Sequence, residues 1–144
     1  MSTIFIAAPI SGFNDQKEYV NYRKSVINLI ACLEDEYQIF SELTKVKEIC
    51  DYDTPEEAVK QDLELIDNAD FFIILHPYRM QTSSMIELGY ALANKKNIII
   101  IGKIEDLPYM AVGMRAFSNV RIVSTNELSQ NTVDEILKEI ESGF

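Results

Sequence analysis

A chain of 144 residues, 47% of them hydrophobic, has the size of one domain with a substantial core. Its net charge of −10, relieved by no Lys/Arg cluster, repels phosphate backbones and argues against duplex nucleic acid as a partner. No stretch approaches the roughly 20 apolar residues that span a bilayer, and two cysteines make no disulfide framework, so a cytoplasmic protein with a small-molecule partner is expected.

The first element is Thr3–Ala8 (TIFIAA), a continuous apolar run. No basic segment precedes it, so it reads as a buried strand and not as a signal peptide. Residues 16–34 have helical periodicity, with Tyr19, Tyr22, Val26, Ile30 and Leu33 along one side. Cys32 of that segment is expected in the core, and Cys50 as a free thiol beside an acidic loop (CDYDTPEE, 50–57). Gln38–Phe40 is a short strand. Residues 54–68 form a helix, with Thr54 as N-cap and Pro55 in the first turn. FFIIL (71–75) and IIII (98–101) are again unbroken apolar runs, and a helix over Met85–Ala93 lies between them. Within it, Gly89 suits close packing on a sheet. LPYMAVGMRAFSN (107–119) reads as a loop and short helix. VRIV (120–123) alternates as an edge strand does, and residues 132–140 form a terminal helix. No repeat or linker divides the chain, so residues 1–144 are read as a single domain.

Runs apolar at every position are buried on both faces. Strands that alternate with helices give a parallel sheet covered on both sides. The expected fold is therefore α/β: a three-layer domain with a five-stranded parallel sheet in the order 2-1-3-4-5. Ligands of such folds bind outside the carboxyl ends of the strands, at the switch point between strands 1 and 3. Two loops meet there: APISGFND (8–15) and HPYRMQTS (76–83).

Glu87 follows the second loop and has two readings. Ser84-Met85-Ile86-Glu87 matches a capping box, which needs no function. A carboxylate in the first turn of a helix at this crevice would instead be held ionised by the helix N-terminus, as a nucleophile requires. Asp62 also stands out. On a wheel of residues 54–68 the apolar arc holds Ala58, Val59, Leu63, Leu65 and Ile66, and Asp62 falls near its middle. A buried carboxylate without a partner costs several kcal/mol, so Asp62 either caps a neighbouring loop or points into the crevice. Two carboxylates on one ligand suggest cleavage of a glycosidic bond, whose transition state is oxocarbenium-like. Glu87 would attack the anomeric carbon, and Asp62 would orient the leaving group or carry its proton.

IFIAAPISG, DLELIDNADFFIIL and SSMIELGYALANKKNIIII together resemble the nucleoside 2-deoxyribosyltransferases and related nucleotide N-glycosidases, over roughly residues 3–102. The most specific element is E-L-G-Y-A-L followed by a Lys and an apolar strand. The resemblance implies a flavodoxin-like fold and a nucleoside or nucleotide substrate. It also implies a homo-oligomer, dimer or higher, whose sites a neighbouring subunit completes. It makes Glu87 the nucleophile and places Asp62 in the site. No cofactor and no metal are expected. The tyrosine that some members carry on strand 1 is replaced by Phe5, with Ser84, Tyr78 or Tyr109 as substitutes. Gln81 stands where nucleobase-transferring members often have an aspartate. Pro9 and Ser11 stand where the monophosphate hydrolases place a serine and an arginine.

Substrate contacts are expected from Pro9, Ile10, Ser11 and Gly12 after strand 1, and from Tyr78, Gln81, Ser83 and Ser84 after strand 3. Tyr78 is suited to stacking on a base, and Ser83 to binding a phosphate at the helix start. Met110, with Met114 and Phe117, belongs to the core, a subunit interface or the base pocket. Asp53 is within reach of a ribose hydroxyl. His76, the one histidine, has no second metal-type ligand near it in sequence and reads as structural. Two other functions fit parts of the pattern. A TIR-like NAD glycohydrolase shares the strand order and a glutamate after strand 3. A catalytically inactive nucleotide-binding module needs only the crevice.

Overall fold

The structure, a computed structural model, describes residues 1–48, 53–80 and 82–144. Five strands form one sheet: β1 (Thr3–Ala7), β2 (Gln38–Phe40), β3 (Phe71–Leu75), β4 (Asn97–Ile101) and β5 (Val120–Val123). All neighbours pair parallel, in the order β2-β1-β3-β4-β5, as the apolar runs predict. The alternating β5 is an edge, and the unbroken runs β1, β3 and β4 are internal.

Each strand sends alternate residues to opposite faces. Ile4, Ile6, Ile73, Leu75, Ile99 and Ile101 pack under α1 (Gln16–Leu33) and α5 (Gln130–Glu141). Phe5, Ala7, Phe72, Ile74, Ile98 and Ile100 pack under α2 (Pro55–Asn68), α3 (Ser84–Ala93) and α4 (Tyr109–Gly113). Phe5 stacks on Phe72, with ring centroids 5.8 Å apart. These two apolar layers hold three tiers together and leave the carboxyl ends of the strands free for a site.

The cap expected at Thr54 forms. Thr54 accepts a hydrogen bond from the backbone N–H of Glu57 at 3.3 Å, with Pro55 starting α2. Asp15 caps α1 by accepting from the Glu18 N–H at 2.8 Å. Gly12, at φ 89°, makes the turn between β1 and α1 in a backbone region that other residues avoid. Gly102 ends β4 in a tight approach, where an added Cβ would lie 2.8 Å from the carbonyl oxygen of His76.

Four expectations fail here. The capping box at Ser84–Glu87 does not form. The helix starts one residue earlier, Ser83 is the N-cap without a side-chain bond, and Ser84 is the first helical residue. Its hydroxyl lies 3.4 Å from that of Thr82 instead. Cys32 is exposed, because the buried side of α1 runs through Val26, Leu29, Ile30 and Leu33 and leaves Cys32 on the outer side. Gly89 does not touch the sheet: it is exposed, and an added Cβ would meet nothing within 4 Å. Val59 is 47% exposed, at the outer edge of the apolar arc of α2. Cys50 and Gln81 lie outside the described residues.

Candidate active site

A cavity of ≈ 320 Å³ opens at the carboxyl ends of β1, β2 and β3, at the predicted switch point. Its apolar wall is Ala8, Ile10, Pro55 and Ala58. Ser11, Thr82, Ser83 and Ser84 supply hydroxyls, and Glu42, Asp53, Asp62 and Glu87 supply carboxyls. Among the described residues no lysine or arginine lines it.

The sequence places Asp62 and Glu87 on different helices, and the fold brings them into one hydrogen-bonded pair. The means lie in the E-L-G-Y-A-L…K segment itself. Tyr90, one turn beyond Glu87, donates to Asp67 Oδ1 of α2 at 2.7 Å. Lys96 donates to the carbonyls of Asp67 at 2.7 Å and Ala69 at 3.1 Å, where α2 ends. These bonds tie α3 and the turn after it to the end of α2.

Burial first, then the Asp62 charge and the hydrogen bond with Asp62, push the Glu87 carboxyl up to about 9. This corrects the expectation that the helix N-terminus keeps Glu87 ionised. The desolvated neighbouring carboxylate outweighs the dipole, which contributes about 1 kcal/mol near a helix end. Burial also raises Asp62, while the hydrogen bond with Glu87 and the Lys45 charge act the other way. The pair therefore holds one proton over a wide pH range, as like-charged carboxyls in contact do.

A second pair lies beyond Asp62 and was not anticipated. Glu42 opens a single 3₁₀ turn, Glu42–Thr44, directly after β2, and its carboxyl is hydrogen bonded to Asp53. Burial and then that bond push Glu42 up to about 7. Lys45 Nζ, 3.8 Å from Glu42 Oε2, is more than half exposed and also donates to Gln61 Oε1 at 3.1 Å. Glu42 is the second residue after β2, which lies beside β1, and so opens on the same crevice.

Other predicted contacts divide. Ile10, Ser11, Ser83 and Ser84 line the cavity. Pro9 and Gly12 do not; Pro9 is buried and Gly12 turns the loop. Tyr78 is not in the cavity either. Its hydroxyl donates to Glu18 and its ring packs edge-on to Phe13, so it ties the loop after β3 to the start of α1. Met110 is 79% exposed and lines a separate apolar cavity of ≈ 790 Å³ with Tyr109, Met114 and Phe117. That cavity is larger, but Arg79 and Arg115 are the charged groups lining it and no carboxyl does. Of the substitutes for a strand-1 tyrosine, Ser84 shares the cavity with Glu87, whereas Tyr109 is 94% exposed. His76 is buried behind the loop and outside the cavity, and burial lowers its pKa.

Comparison with solved structures gives the fold independently. The chain superposes on the CMP N-glycosidase BcmB of Clostridium botulinum with a TM-score of 0.68 and 19% identity, over 93% of this chain and 98% of that one. It superposes on the solution structure of BlsM with a TM-score of 0.75 and 19% identity, over 96% and 90%. A conserved protein from Enterococcus faecalis V583 follows at 0.60 and 13%, over 96% and 99%. A sequence search of curated proteins finds no significant match. The family profile described as nucleoside 2-deoxyribosyltransferase matches residues 4–130, and these include β1, β3 and the whole of α2 and α3 with Asp62 and Glu87. With that match over most of its length, the chain belongs to the nucleoside 2-deoxyribosyltransferase family.

Proposed function

We propose that the protein breaks the N-glycosidic bond of a nucleoside, with Glu87 as nucleophile and Asp62 as the proton donor to the departing base. The observation that carries this is the Asp62–Glu87 carboxyl pair in a cavity at the switch point. One proton on two carboxyls is the charge state the reaction needs. The shared proton rests on Glu87 in the free site and must pass to Asp62 across their hydrogen bond. The Glu87 carboxylate so formed then bonds to C1′ as the C1′–N bond breaks. The bonding electrons go to the base nitrogen, which takes the Asp62 proton. The now ionised Asp62 then accepts a proton from the second nucleophile, which displaces Glu87 from C1′. That nucleophile is water in hydrolysis and another base in transfer.

The charge of the site favours an unphosphorylated substrate. Four carboxyls and, among the described residues, no lysine or arginine line it, and a phosphate about 8 Å from one ionised carboxylate meets about 2 kcal/mol of repulsion at an effective dielectric of about 20. Base release should be measured by chromatography over ribo- and deoxynucleosides, their 5′-monophosphates and NAD. Release from nucleosides at least about tenfold faster than from monophosphates is expected. No free base from any nucleoside would overturn the proposal, and nicotinamide alone would transfer it to the NAD reading.

We also infer that copies of the chain associate in the reducing cytoplasm. Tyr109, Met110 and Phe117 expose large apolar side chains around one cavity, and Ile86, 67% exposed, does so at the rim of the acidic one. Sedimentation at micromolar concentration should give a dimer or larger. A monomer would remove the inference.

A further inference from the structure

We propose that the fold binds one buried water between the Tyr22 hydroxyl and the His76 ring, and that this water ties the loop after β3 to α1 and to the loop before α5. The site is separate from the acidic cavity and does not depend on the reaction proposed there.

Tyr22 of α1 packs on the core, with its ring centroid 5.2 Å from that of Phe13. His76 is the first residue after β3. Both side chains line a cavity of ≈ 10 Å³, with Leu75 and Ile101 at the ends of β3 and β4 and with Thr125 and Asn126 of the loop before α5. One water needs about 10–15 Å³ of such space, so the cavity has the size of a single water and excludes a larger solute.

The polar groups of its wall lack protein partners. His76 is 1% exposed, and neither of its ring nitrogens meets a donor or acceptor at hydrogen-bond distance among the described residues. The Tyr22 hydroxyl is buried and equally unpaired. Buried polar atoms in folded proteins nearly always have a partner, either protein or ordered water. Three such atoms on two side chains at one small cavity call for an occupant that both donates and accepts.

Water meets that need. Burial first, then Tyr19 and Tyr78, raise the Tyr22 pKa well above its ordinary value, so the hydroxyl keeps its proton and donates. Burial lowers His76, and outweighs the backbone of Asp106, which favours a proton on the ring. The neutral ring then has one N–H and one lone pair. The water accepts from Tyr22 and donates to that lone pair, and the side-chain oxygen of Asn126 is in the same wall for its second proton. No carboxylate or thiol lines the cavity among the described residues, so a metal ion would find no anionic ligand. The loop rooted at His76 runs on to Thr82 and Ser83 of the acidic cavity, and the water anchors that root.

A crystal structure at about 1.5 Å or better tests the site. One water should lie within about 3.2 Å of both Tyr22 Oη and a His76 ring nitrogen. Density without that water, or a direct bond between the two side chains, overturns the proposal. Amide hydrogen exchange tests the tie. The N–H groups of His76 and Gly102 bond to the carbonyls of Ile101 at 2.8 Å and Val123 at 3.2 Å, at the strand ends beside the cavity. Tyr22→Phe keeps the ring and removes only the hydroxyl. It should quicken exchange at His76 and Gly102 about tenfold, and leave Gln38, bonded to the Ser2 carbonyl at 3.0 Å at the other end of the strands, within about twofold. Equal change at all three amides, or none at any, overturns the tie. Should Tyr22→Phe not fold, as its melting temperature will tell, His76→Leu serves in its place, read at Gly102 against Gln38.

Discussion

Glu87→Gln is expected to abolish base release, by about 10³-fold or more, and at the same time to raise the melting temperature. The first effect follows from removing the atom that bonds to C1′. The second follows from what the folded protein does to that carboxyl. Its pKa is raised from the ordinary 4.5 to about 9 by burial, then by the Asp62 charge and hydrogen bond. A group whose folded pKa is raised contributes stability that is fully present below the unfolded value. That contribution is lost as pH rises through the folded value. The wild-type protein should therefore lose stability between about pH 4.5 and about pH 9 on account of Glu87. A glutamine carries no proton to lose, and its amide donates to Asp62 permanently. The advantage of the variant should be under about 1 kcal/mol at pH 5 and grow to several kcal/mol, on the order of 4, at pH 8, read from urea or thermal unfolding at both pH values. Equal stability of the two proteins at pH 8 would mean that Asp62 and Glu87 do not share a buried proton.

The opposite signs of the two effects separate a catalytic carboxylate from a structural one. A glutamate kept only as a helix cap would cost stability when replaced, about 1 kcal/mol for a lost cap. Ser84 does not cap this helix through its side chain, so no such loss is expected here.

The sheet was legible because its signal is local. Five apolar runs of strand length, three of them unbroken, leave few arrangements once parallel pairing and right-handed crossovers are required. Asp62 was legible because a helical wheel needs only the helix itself. What was not legible depends on partners distant in sequence. Tyr78 looks free until Glu18 is found sixty residues away, bonded to its hydroxyl. The charge state of Glu87 was misjudged because the helix dipole is visible in sequence and the facing carboxylate is not. Glu42 was missed because the 3₁₀ turn after β2 has no periodicity to read. Met110 stayed open between core, subunit interface and base pocket because a short helix in a loop does not reveal its neighbours; it is exposed and lines a cavity apart from the switch point.

Asp62→Asn is expected to slow release of ordinary bases by about 10²–10⁴-fold, the usual range for a lost general acid, and to slow release of 7-methylguanine from 7-methylguanosine by less than about tenfold. An ordinary base departs with a lone pair that must be protonated, and in the wild-type protein Asp62 brings that proton. The 7-methylated base is already cationic and leaves without one, so only the attack by Glu87 remains to be catalysed. The substitution also changes the charge beside Glu87. An asparagine amide donates to the Glu87 carboxylate where the Asp62 charge repelled it, so the Glu87 pKa falls from about 9 and the nucleophile is ionised at lower pH. The pH profiles should diverge accordingly. Wild-type release of an ordinary base should decline on the alkaline side as the pair gives up its last proton. Release of 7-methylguanine by the variant should rise as Glu87 ionises and then stay level. Equal losses on both substrates, with parallel pH profiles, would make Asp62 a group that merely positions Glu87. The proton for the base would then have to come from solvent or from the ligand itself.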